Sequence, residues 1–181
     1  MRTVIFTGWI LMLWTLVSCK SNQLEVFIVD KQESPGVTSF DFQGSMLSSN
    51  ENLDEEARQA LRTFRKANVI MYSVEANGTE QYEKDIAELK GILQSGGYES
   101  LMKYHSGKTG TSVYMSGDTG KVDEIIVLGK NPGKGWILVR LLGDDMNPAL
   151  IIKALRKSGM ESIIDNNKVK KLKGIMDEWD F

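Results

Sequence analysis

Hydrophobic and polar positions along this chain change period several times, and each change predicts an element. From Asn52 the apolar residues Leu53, Ala57, Ala60, Leu61 and Phe64 recur at helical spacing. Asn50 or Asn52 is the expected cap, and Asp54, Glu55 and Glu56 suit the positive end of the helix dipole. Asn68 to Glu75 then alternates as a strand, until Asn77-Gly78 breaks it. A second helix is predicted from Thr79 to Gln94, with Tyr82, Ile86, Leu89, Ile92 and Leu93 on one stripe and Gly96-Gly97 at its end. Four β runs follow: Tyr98–His105, Thr111–Ser116, Val122–Gly129 and Trp136–Leu142. Short glycine-bearing turns separate them, so antiparallel hairpins are expected, because a parallel crossover needs a dozen residues or more. Asn147-Pro148 starts another helix, with Leu150, Ile151, Ala154 and Leu155 on its buried side and Gly159 closing it.

The two ends read differently. Val37, Phe40 and Phe42 alternate weakly, as an edge strand or an extended segment. Residues 20–36 are polar around a short apolar patch, Val26 to Val29, which is either a first strand or an extended lead-in; with Cys19 they read as a tether over 19–36. At the other end Val169, Leu172, Met176 and Trp179 fall on one stripe, opposite Lys168, Lys170, Lys171 and Lys173. Residues 166–181 therefore predict an amphipathic terminal helix, expected to dock on the sheet, with a partner- or membrane-facing role as the alternative. The whole is expected to be one α+β domain over 37–181: two layers, an antiparallel β-meander sheet with helices packed on one face.

At the N-terminus, Arg2 precedes an apolar run from Val4 to Val17. Fourteen residues rise about 21 Å as a helix, short of a hydrocarbon core of roughly 30 Å. Residues 1–18 thus predict a removable signal peptide and not a span. Leu16-Val17-Ser18-Cys19 resembles the lipobox of bacterial lipoproteins, in which the cysteine is acylated and becomes the first residue. Cys19 is the only cysteine, so no intramolecular disulfide is available. The expected membrane association is through this lipid anchor.

Composition narrows the rest. Seventeen glycines and three prolines among 181 residues exclude one long bundle. The formal charge of −2 offers no basic surface for nucleic acid. One histidine and one cysteine leave few soft metal ligands, and no metal or cofactor is expected.

Motifs that resemble active sites have ordinary explanations. Gly107-Lys108-Thr109 resembles the end of a phosphate loop, but position 102 is methionine where that loop needs glycine. A hairpin turn is expected there. Ser100-Leu101-Met102-Lys103 and Lys108-Thr109-Gly110 match two β-lactamase motifs, yet they adjoin each other and the serine lies in a predicted strand. His105 is expected at a surface turn. Asp144-Asp145 and Asp123-Glu124 lack the alternating oxygen spacing of a calcium loop and read as structural. Tyr98, Tyr104, Tyr114 and Trp136 either line a ligand platform or fill the core. No catalytic residues are assigned.

The succession of lipobox, helix, strand with Met71-Tyr72-Ser73, helix, four-strand meander and Leu141-Leu142-Gly143 running into a capped helix resembles the small lipoproteins of Bacteroidota grouped as domain of unknown function 4252. The resemblance covers roughly Val37 to Gly159. It implies no activity and no functional residues. In some lipoproteins of this class, acidic residues after the cysteine signal surface export; here Lys20-Ser21-Asn22-Gln23 follows. The resemblance therefore implies an outer-membrane protein facing the periplasm, with surface exposure as the alternative. The expected role is a non-catalytic, lipid-anchored envelope protein that binds a protein partner or senses envelope state. The alternative is a small-ligand or lipid-binding module, using the open sheet face or a cleft under the terminal helix.

Overall fold

The computed structural model describes residues 22–45, 54–118 and 121–151. Among these residues six strands form one open sheet, all neighbours antiparallel: β1 (Val37–Gln43), β2 (Phe64–Ser73), β3 (Glu99–Ser106), β4 (Thr109–Asp118), β5 (Lys121–Asn131) and β6 (Gly135–Met146). Their order is β1-β2-β6-β5-β4-β3. The last four form the expected meander, and β6 then pairs back onto β2, with Val69 opposite Val139 and Ile70 opposite Leu138. Helices are α1 (Gln23–Gln32), α2 (Glu55–Arg62), the single turn α3 (Val74–Asn77) and α4 (Thr79–Ser95). The expected α+β class and antiparallel meander sheet are those of the structure.

The tether expected over 19–36 is overturned for most of its length. Leu24, Phe27, Ile28 and Lys31 lie at offsets of 3, 4 and 7, so they share one helical face, and all four are buried. Asn22 caps this helix, its side-chain oxygen accepting from the Leu24 amide at 3.1 Å. Val26 and Val29, which suggested a strand, are the residues that α1 leaves exposed.

Side chains alternate across the sheet. On the first face Ile70, Tyr72, Ile126, Leu128, Trp136 and Leu138 meet the buried stripes of α1 and α4 in the main core. On the second face Val69, Met71 and Ile137 cluster with Phe40, Phe42 and Val139. Boundaries shift in an understandable way. Asp54, and neither Asn50 nor Asn52, caps α2, accepting from the Ala57 amide at 2.8 Å. Phe64 belongs to β2, because Thr63 folds back onto the Ala60 carbonyl and ends the helix. The strand expected to Glu75 stops at Ser73, where α3 begins.

Residues 148–151 open the expected helix, with Asn147 Oδ1 accepting from the Ala149 and Leu150 amides. Leu150 packs with Ala57, Ala60 and Leu61 of α2. The expected signal segment, Cys19 and the amphipathic segment 166–181 lie outside the described residues.

Candidate functional site

The most concentrated chemistry lies where α1, α3 and α4 meet the first sheet face. Asp85 occupies the buried stripe of α4, between Tyr82 and Leu89, and is wholly inaccessible to solvent. Its Oδ1 accepts from Lys31 Nζ at 2.9 Å and from Gln81 Nε2 at 2.7 Å. Its Oδ2 accepts from Trp136 Nε1 at 3.1 Å. One carboxylate thus joins α1, α4 and β6. Lys31 Nζ also lies 5.3 Å from the centre of the Phe27 ring. Burial of a charge is tolerable only with such partners.

Beside this cluster is a cleft of about 320 Å³, lined by Lys31, Ser34, Pro35, Val37, Tyr72, Asn77, Gln81 and Asp85. Asn77 Nδ2 is buried there without a hydrogen-bond partner. Gly36 closes over it: φ is +69°, and a Cβ at that position would fall 2.0 Å from the same nitrogen. The Tyr72 hydroxyl donates to the Gly78 carbonyl at 2.6 Å. Lys31, Gln81 and Asp85 serve one another, and with Trp136 they act as a clasp holding α1 and α4 to the sheet.

A second clasp sits along the same face. Arg140 Nε donates to Glu124 Oε1, the Tyr98 hydroxyl donates to Glu124 Oε2 at 3.1 Å, and Arg140 Nη2 lies 3.9 Å from Glu25 of α1. Burial, reinforced by the Glu124 charge, holds the Tyr98 phenol well above its usual range. Burial likewise raises the Tyr72 phenol and pushes the Tyr82 phenol up to about 12.

A pH dependence follows from these three phenols. Each folded value lies above the unfolded value of 10.0, so the stability they contribute is whole below pH 10 and falls away as pH climbs toward about 12. Melting temperature followed from pH 8 to pH 12 is expected to drop over the upper half of that range, and Tyr82→Phe to make the drop shallower. A melting curve flat to pH 12 would contradict this.

The residues singled out by sequence do not converge. His105 is exposed near the end of β3. Ser100 lies in the same strand and heads no helix. Gly107-Lys108 is the two-residue hairpin between β3 and β4, with Gly107 at φ +62°. Asp123 is exposed while its neighbour Glu124 is buried, as alternation requires. Asp144 pairs with Arg65 at 2.9 Å and Asp145 with Lys121 at 3.6 Å. Among the described residues no group of three His, Cys, Asp or Glu side chains could hold a metal ion. Tyr98, Tyr114 and Trp136 join or pack on the main core, and Tyr104 stands exposed on β3, so they form no common platform.

The other distinctive surface is a sheet edge. All eight residues of β3 are exposed, among them the apolar Leu101, Met102 and Tyr104. Among the described residues β3 pairs only with β4, and a bulge between Ser100 and Met102 interrupts that ladder. An edge of this kind presents unpaired backbone donors and acceptors to solvent.

Fold, clasps and free edge together define a small α+β domain built on an open antiparallel sheet. Residues 30–154 match the family model described as Domain of unknown function (DUF4252), and the chain belongs to that family. No curated protein and no solved structure matches it.

Proposed function

We propose that this chain is a lipid-anchored cell-envelope protein that acts as a non-catalytic interaction module. Its anchor is Cys19, preceded by a short apolar segment and Leu16-Val17-Ser18. No helix among the described residues is long and apolar enough to cross a membrane. The observation that carries the interaction role is strand β3, an exposed edge bearing Leu101, Met102 and Tyr104. The partner it suits is an extended protein segment that adds a strand, with main-chain bonds giving affinity and alternating apolar side chains giving selectivity. The resemblance to that class of lipoproteins implies the periplasmic side of the outer membrane.

Crosslinking in native membranes, with acyl labelling read on the same samples, tests both halves. Wild type is expected to take up label and to form discrete crosslinked species. Cys19→Ala should lose the label and accumulate as precursor; a normally labelled mutant would remove the anchor. Leu101→Lys combined with Tyr104→Lys changes only exposed positions, so stability should move by no more than about 0.5 kcal/mol per site. That variant should keep its label and lose the crosslinked species. Unchanged crosslinks would remove the edge from the interaction.

A further inference from the structure

We infer that the second face of the sheet is covered in cis by the chain's own C-terminal segment, through the stripe Val169, Leu172, Met176 and Trp179. This goes beyond the interaction role of β3, which it leaves open. The face is apolar across its middle: Phe40, Phe42, Val69, Met71, Ile137 and Val139 form one cluster. Every member is a strand residue, and no described helix supplies a side chain to it. Val69, Met71 and Ile137 are nevertheless buried. A sheet face of this composition needs a second layer, since an amphipathic sheet is stable only when its apolar side is packed against another element.

The chain itself points to the occupant. Ile151, 2% exposed, packs with Val122, Ile125 and Met146 and touches Leu141. Ile125 and Leu141 are opposed in register, and Leu141 projects on the same side of β6 as Val139 and Ile137. The last described residue therefore already lies on the second face, and residues 152–181 follow it. As a helix, the sixteen residues 166–181 would be about 24 Å long. Five strand spacings of about 4.8 Å give the sheet a width of about 24 Å. Lys170 and Lys171 fall on the side opposite the stripe, where water would solvate them, and Lys168 and Lys173 border it, with stems long enough to carry their ammonium groups to solvent. A covalently joined segment acts at an effective concentration on the order of millimolar, which favours it over a second copy or a separate partner.

A spin label distinguishes the faces. In the full chain, Cys19→Ala with Lys171→Cys leaves one thiol, on the polar side of the segment, for a nitroxide. Methyl signals of Val69, Val139 and Val127, which faces Val139 from β5, should fade, while those of Ile70, Ile126 and Leu138 on the helix-covered face persist. Leu172→Glu with Trp179→Glu in the labelled chain should restore the faded signals without loss of the strand signature in circular dichroism. Mixing spin-labelled, unenriched chain with enriched, unlabelled chain separates cis from trans docking. Fading of both faces alike, of neither, or only between separate molecules would overturn the proposal, as would a pattern unmoved by the two glutamates.

Discussion

Replacing Asp85 with alanine should destabilise the protein by about 3–5 kcal/mol, the usual cost of removing one partner from a buried ion pair. Three donors lose their acceptor at once: Lys31 Nζ, Gln81 Nε2 and Trp136 Nε1. Gln81 has water within reach, but Lys31 and Trp136 are buried. The lysine suffers most, because its buried ammonium keeps only the exposed Asp30 carboxylate, 3.8 Å away, in place of Asp85. For a chain of this size the change corresponds to a fall of roughly 6–20 °C in melting temperature. The compensating variant is more informative. Asp85→Leu with Lys31→Met removes both charges and substitutes apolar volume, and it should recover most of the lost stability. If Asp85→Ala alone cost less than about 1 kcal/mol, the clasp would not hold the helices to the sheet.

Trp136→Ala should cost a similar amount, about 3–5 kcal/mol, for a different reason. The indole is fully buried at the start of β6. It stacks on Tyr72, with ring centres 5.7 Å apart and planes within 6°, and meets Phe27 of α1 at 5.9 Å. Alanine leaves a cavity under both helices and strands Asp85 Oδ2 without its donor. Trp136→Phe separates the two effects. It keeps most of the ring volume and loses the hydrogen bond, so it should cost about 1–3 kcal/mol. Denaturant titration of the three proteins gives the order directly: wild type, then phenylalanine, then alanine. Equal midpoints for the phenylalanine variant and wild type would show that the indole nitrogen contributes nothing to the clasp. Because Trp136 and Asp85 touch, the double variant should lose less than the sum of the two single changes.

Periodicity made the sheet legible. Glycine turns bracket four runs that alternate or stay apolar, and β3 to β6 fall where those runs do. The pairing of β6 onto β2 was not legible, since no local signal marks a partner more than sixty residues away. α1 was misread because Val26 to Val29 includes two β-branched residues at exposed positions, which masked the helical spacing of Leu24, Phe27, Ile28 and Lys31. The first clasp did leave a trace. Asp85 falls within the apolar stripe of α4, three residues after Tyr82 and four before Leu89, a place where a carboxylate needs a buried partner. Arg140 breaks the apolar alternation of β6 in the same way. Of their partners, Lys31 carried no mark of its own and Glu124 stood out only as half of the Asp123-Glu124 pair, because only the folded chain brings them near. β3 resisted reading for a physical reason as well: its composition is that of a strand, and exposure of both its sides depends on its place at the end of the sheet.

Position of α1 changes how the proposed anchor would transmit force. From Cys19 to Gln23, where the helix begins, the chain spans at most about 14 Å even when extended. An acylated Cys19 would therefore seat the domain against the bilayer on a post and leave it little freedom to swing. Such a short mount restricts the directions in which β3 can face, so partners moored in the same leaflet would meet the edge more often than freely diffusing ones. Any pull on the lipid would arrive at α1 first and load the Lys31–Asp85 and Arg140–Glu25 contacts before reaching the strands. The mooring and the core would then share one mechanical element, and tension at the membrane would be felt inside the fold.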